Sequence, residues 1–128
     1  MQVEYREGES AVPPESFVAL AERVWPRDYD MVRMAEALQR TINIGAWVGS
    51  RLVGSVRVLS DGDFNTVPAV MVDPEYQRRG IGRELMRRAL ALSPGGRLFL
   101  GAQPGNEASF ERCGFKRGPV GFVGTRPH

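Results

Sequence analysis

The apolar positions of this chain change period several times, and each change marks an element. Residues 2–6 alternate weakly, which predicts a first strand. Pro13-Pro14 followed by Glu15 opens a helical pattern in which Phe17, Val18, Leu20, Ala21 and Val24 are apolar. That helix stops at Trp25-Pro26, because proline disfavours helix in the residue before it. A second helix is expected from about Asp30, a suitable N-cap, to about Arg40. Ile42, Ile44, Ala46 and Val48 then recur at every second residue, the period of a strand. Gly49-Ser50 reads as a turn into a strand from Leu52 to Leu59, and Asp61-Gly62-Asp63 as the next hairpin. Val67 to Val72 is mostly apolar, which predicts a central strand rather than an edge.

Asp73-Pro74 closes that strand. A strong helix is expected from Gly80 to about Leu92, with Ile81, Leu85, Met86, Ala89, Leu90 and Leu92 on one face. Arg83, Glu84 and Arg87 take its solvated side. Ser93-Pro94-Gly95-Gly96 breaks it. Arg97 to Ala102 is read as a strand, Asn106 to Arg112 as a short helix and Val120 to Thr125 as a last strand. The order is strand, two helices, three strands, helix, strand, helix, strand, which predicts an α/β domain with a mixed central sheet flanked by helices.

Composition narrows the function classes. The 128 residues fit one domain, residues 1–128, and 42% hydrophobic with 25% charged residues is ordinary for a globular protein. A formal net charge of +2 does not demand nucleic acid or an anionic membrane. That sum hides a cluster, since Arg78, Arg79, Arg83, Arg87 and Arg88 follow one another closely. Cys113 is the only cysteine, so neither an intramolecular disulfide nor a cysteine-rich zinc site is available, and no metal is expected. The only histidine is His128, the last residue, which argues against Ser-His-Asp or Cys-His catalysis. Glu4, Glu7 and Glu9 interrupt the N-terminus and no long apolar window follows, so no signal peptide or membrane span is read and a cytoplasmic location is expected.

The chemistry concentrates in Gln77-Arg78-Arg79-Gly80-Ile81-Gly82, which leaves a predicted strand and enters a predicted helix. The first turn of a helix has free N–H groups and a partial positive charge. Glycines let an anion approach the backbone without a Cβ in the way. A pyrophosphate is the natural ligand of that geometry. The Lys-Ser/Thr ending of a Walker loop is absent, as is G-x-G-x-x-G. On the two glycines alone, a plain strand-to-helix connection is an equal reading.

The wider context separates the two. Residues 70–86, from Val70-Met71-Val72-Asp73-Pro74 through the glycine loop to Leu85-Met86, resemble the acyl-CoA-binding motif of GNAT acetyltransferases. Phe110-Glu111-Arg112-Cys113-Gly114-Phe115 resembles that family's later helix ending in Gly-Phe, and residues 52–58 resemble its third strand. The resemblance implies an N-acetyltransferase that moves an acetyl group from acetyl-CoA to a primary amine of a small molecule or peptide. It implies that Val70, Met71 and Val72 hydrogen-bond the pantetheine arm, which would lie like an added strand in the splay between the fourth and fifth strands. N–H groups of Arg78, Arg79, Gly80, Ile81 and Gly82, with Arg83 as a further candidate, would hold the pyrophosphate. Gln77 belongs to the same cofactor-binding set, and Arg78 or Arg79 would reach the 3′-phosphate or else only face water. Trp25 and Tyr29 fall where the family builds its acceptor pocket, though ordinary packing explains a tryptophan there as well. Cys113 reads as a small buried hydrophobe.

The sequence departs from the family pattern at two places. The tyrosine that often protonates the leaving thiolate is replaced by Phe110, and the carboxylate often found two residues before Met71 is replaced by Ala69. Either positioning carries the reaction, or Asp61, Asp63 or Ser109 supplies a proton route. Asp61-Gly62 is equally explained as turn chemistry, and Ser109 as a helix-surface residue. Two other classes stay open: a non-catalytic acyl-CoA-binding sensor or regulatory module on the same fold, and a nucleic-acid binder using the arginines at 78–88, for which no recognised motif is present. Relatives of this fold are often dimers, so a homodimer is also an open expectation.

Overall fold

A computed structural model describes residues 2–127. The elements in chain order are β1 (Glu4–Glu7), α1 (Pro14–Val24), α2 (Met31–Gln39), β2 (Ile42–Val48), β3 (Arg51–Ser60), β4 (Asn65–Val72), α3 (Ile81–Leu92), β5 (Phe99–Leu100) and α4 (Glu107–Arg112). The strands form one sheet in the order β1-β2-β3-β4-β5. The first four are antiparallel neighbours, and β5 runs parallel to β4, so the sheet is mixed as expected.

The local signals act where they were read. Pro14 starts α1 with its fixed φ, and the chain leaves the helix at Trp25, just before Pro26. The Asp30 carboxylate accepts from the Arg33 N–H and caps α2. Gly80 adopts φ +83° and turns the chain into α3.

Two apolar clusters fill the two sides of the sheet. Phe17, Val18, Leu20 and Ala21 of α1 and Leu38 of α2 pack with Trp47, Leu52 and Met71. Ile81, Leu85, Met86 and Ala89 of α3 pack with Ile44, Ala46, Val56, Val58 and Val67 on the other side. Gly54 allows α3 to come close to β3, since a Cβ there would stand 3.0 Å from Ile81 Cγ2 and 3.1 Å from Leu85 Cδ1.

Four expectations differ from the structure. The strand read at 97–102 shortens to Phe99–Leu100, the two residues that pair with β4, and Gly101, Pro104 and Gly105 directly after them disfavour a longer strand. The last strand read at 120–125 does not form: Gly118, Pro119, Gly121 and Gly124 interrupt it, and Val120, Phe122 and Val123 are exposed. Leu90 lies one residue beyond Ala89, about 100° round the helix, and faces solvent, and Leu92 on the last turn is exposed too. Finally, β4 is central only at its start. Its ladder to β5 holds just Thr66↔Phe99 and Val67↔Leu100. Pro68, which has no N–H to donate, comes next. From there to Val72 no strand among the described residues lies beside the outer edge of β4.

Candidate functional site

That open edge is one wall of a cleft of about 670 Å³. Val70, Met71 and Val72 form the wall, Gln77, Arg78, Gly80, Ile81, Gly82 and Arg83 its upper rim, and Asn106, Ser109, Phe110 and Arg112 of the α4 segment face them. The parting of β4 from β5 therefore creates the space, and α3 and α4 close its sides.

The rim is shaped by backbone conformation. Arg78 has φ +65°, the only positive φ of a non-glycine among the described residues, and Gly80 has φ +83°. Two left-handed residues, with Arg79 between them, curl the loop so that the helix end faces the cleft. Glu84 N–H to Gly80 O is the first bond of α3. The amides of Ile81, Gly82 and Arg83 precede that bond and have no acceptor within the helix. The Gln77 side chain donates to Val72 O at 3.1 Å and ties the loop to the end of β4.

Charge in this cleft has one sign. Arg78, Arg83 and Arg112 line it, and no Asp or Glu does. With the helix dipole added, the site favours an anion. Arg79 lies outside the lining, 5.3 Å over the Tyr76 ring. The rest of the arginine run is committed elsewhere. Arg87 and Arg88 hold Glu84 at 2.6 and 2.7 Å, which pulls its carboxyl down to about 2.

The other candidates divide. Trp25 lines the cleft from the end of α1 and is half-exposed. Tyr29 does not line it; its hydroxyl donates to Trp25 O at 2.8 Å and its ring packs on the α1–α2 core. Phe110 lines the cleft with its ring edge-on to Phe115, and Ser109 brings a hydroxyl beside it. Cys113 is half-buried and also lines the cleft, more open than the buried hydrophobe expected of it. Asp61 accepts from the Asp63 and Phe64 N–H groups, and the Phe64 bond above all holds its carboxyl below the usual range. It is a turn residue. Asp63 lies exposed in the same turn at the far end of β4, where Asn65 alone is already roughly 16 Å of strand from Val70. Neither aspartate lines the cleft. His128 lies outside the described residues.

Sequence reasoning missed Asp73 and Tyr76. Asp73 is 1% exposed and accepts from Arg23 at 2.7 Å, Arg51 at 2.8 Å and the Glu75 N–H. Its own N–H donates to Val53 O at 2.8 Å. Burial raises its pKa, but hydrogen bonds from Arg51, Glu75 N–H and Arg23 outweigh it and hold the carboxyl below its ordinary value. The node fastens the end of β4 to α1 and β3 directly before the loop. Tyr76 lines the cleft from the 3₁₀ turn Pro74–Tyr76.

Among the described residues no group of three or more His, Cys, Asp or Glu side chains could hold a metal, and no helix is long and apolar enough to cross a membrane.

Known proteins share this fold. The family model for the acetyltransferase (GNAT) domain matches residues 11–121, so the chain belongs to the GNAT acetyltransferase family. It is 37% identical over 78 residues to the chloroplastic GCN5-related N-acetyltransferase 2 of Arabidopsis thaliana, covering 58% of this chain and 30% of that protein. It is 35% identical over 86 residues to the N-alpha-acetyltransferase RimI of Mycobacterium tuberculosis, covering 58% of this chain and 54% of that protein. The chain thus spans about half or less of the length of these relatives. A GNAT-family acetyltransferase of Streptococcus pneumoniae shares the fold at TM-score 0.84 and 24% identity, over 99% of this chain and all of that one, 100%.

Proposed function

We propose that the protein is an acyl-CoA-dependent N-acetyltransferase that transfers acetyl from acetyl-CoA to a primary amine of a small molecule or peptide. One observation carries the reading. A Cβ at Gly82 would meet only Val72 Cγ2, at 3.6 Å, so nothing inside the chain requires a glycine at this helical position. The space it leaves opens onto a cleft lined by three arginines and by no carboxylate. A pyrophosphate fits both facts.

Bound acetyl-CoA supplies the activated acetyl group as a thioester. The amides of Gly80, Ile81, Gly82 and Arg83 would hold its pyrophosphate, with Gln77 and Arg79 supporting the loop and Arg78 adding charge. The open edge of Val70, Met71 and Val72 would take the pantetheine arm as an added strand. An N–H on this edge near Met71 or Val72 would donate to the carbonyl oxygen under attack. Trp25 would wall the acceptor side, with Tyr29 fixing Trp25 from behind.

Neither Phe110 nor Ala69 can move a proton, and Asp63 is remote; the cleft lining holds the hydroxyls of Ser109 and Tyr76 and the Cys113 thiol, but no carboxylate or imidazole. Catalysis then rests mainly on holding amine and thioester together, an effect on the order of 7–11 kcal/mol when alignment is good. An alkylammonium with pKa near ~10 must shed its proton to water at a cost of roughly 4–5 kcal/mol at neutral pH. The rate with an alkylamine should therefore climb tenfold per pH unit from 6 to 9 with no plateau from an enzyme group. CoA thiol release, followed with a panel of amines and N-terminal peptides across that range, tests both points. A plateau near pH 7 would reveal a base in the site. Binding without turnover on any amine would leave only the acyl-CoA-binding module.

A further inference from the structure

A second cleft, of about 440 Å³, lies between α2 and the β3–β4 ladder. Arg33, Glu36, Arg40 and Arg57 supply its charge, and Leu59 and Pro68 give it apolar walls. Glu36 already holds Arg40 at 2.6 Å, which leaves Arg33 and Arg57 facing the cleft without a counter-charge.

Arg57 is the informative residue. It lies in the middle of β3, opposite Asn43 on β2 and Ala69 on β4, with its guanidinium 5.7 Å over the Phe17 ring. Its Nε is sealed from solvent and has no hydrogen-bond partner among the described residues. Burial lowers its pKa, as expected for a cation stripped of water with nothing to balance it. The other part-buried arginines are matched: Arg23 by Asp73, and Arg88 by Glu84 and Glu7. A part-buried cation whose Nε is sealed without a partner is costly, and a planar fork of donors is well suited to an oxyanion.

Its position relates this cleft to the reaction. Phe17, on which Arg57 stacks, belongs to the same core cluster as Met71. Ala69, the partner of Arg57, precedes Met71 by two residues, roughly 7 Å along the strand. We propose that Arg57, with Arg33, is an acceptor-side subsite for a small oxyanionic group, so that the acceptor is an amine bearing a carboxylate or phosphate several bonds from its nitrogen. This rests on the acetyl-transfer reading for the identity of the acceptor, but not for the presence of the anion site.

The test has two arms on the full chain. In the first, kcat/KM is measured for matched acceptors: glycylglycine against glycylglycinamide, and phosphoethanolamine against ethanolamine. The wild type should prefer the anionic member of at least one pair by roughly tenfold or more, and the pair that shows it separates carboxylate from phosphate. Arg57→Met, and Arg33→Glu on the exposed face of α2, should each bring that ratio toward one. In the second arm, the Nε–H resonance of Arg57 is followed by NMR while non-reactive N-acetylglycylglycine or inorganic phosphate is added. It should shift with the anion and stay fixed with N-acetylglycylglycinamide. A shift without any acetyl transfer would overturn the enzymatic reading and leave the anion site standing. Transfer with equal rates for both members of each pair, and no shift of the Arg57 resonance, would overturn the proposal.

Discussion

Gly54 on β3 and Gly82 on α3 lie on packed neighbouring elements and are small for different reasons. At Gly54 the chain itself fills the space, with Ile81 Cγ2 and Leu85 Cδ1 at 3.0 and 3.1 Å from where a Cβ would stand. At Gly82 the chain leaves the space unfilled, with a single ordinary contact at 3.6 Å. The first glycine is required by the fold, and the second is the one we assign to a ligand. The same division holds for charge. Asp73 has its partners within the chain, whereas Arg78, Arg83 and Arg112 line the first cleft with no carboxylate beside them in its lining, and in the second only Arg40 is matched, by Glu36.

The comparison is broken most severely at Asp73. Asp73→Asn leaves Arg23 and Arg51 without their shared anion. Because both arginines are partly solvated, the expected loss is about 2–4 kcal/mol in urea unfolding. The folded carboxyl titrates below its ordinary value, so its stabilisation is complete above the unfolded pKa near 3.8 and is lost as pH falls through the lower folded value. The acid limb of the wild-type stability curve should therefore flatten in the variant. Gly54→Val comes next, with overpacking against α3 expected to cost about 1–3 kcal/mol. Gly80→Ala must place a Cβ at φ +83°, which should cost about 1–2 kcal/mol and weaken cofactor binding together with stability. Gly82→Glu has the smallest effect on folding, neutral or stabilising by up to about 1 kcal/mol, because glycine is the poorer helix former.

The sequence displayed the parts whose causes are local. The helical and alternating periods placed α1, α2, α3 and the strands from Ile42 to Val72 close to their observed limits. The glycine loop was legible because positive φ at Gly80 is written in the residue itself. Partners distant in the chain were not. Arg23 and Arg51 reach Asp73 across 50 and 22 residues, and no short-range pattern announces such a meeting. Nothing in the sequence marks Arg57 out, since its part-burial and its approach to the Phe17 ring arise only in the folded chain. The last strand was misread because apolar Val120, Phe122 and Val123 resemble strand residues, although no sheet edge receives them.

The most direct test of the central claim is calorimetric titration of acetyl-CoA into the wild type and Gly82→Glu, with urea unfolding of both proteins at the same pH. The account predicts binding to the wild type, no detectable binding to the variant, and a variant at least as stable as its parent. Binding retained in Gly82→Glu, or lost only because the variant unfolds, would contradict the assignment of this glycine to the ligand.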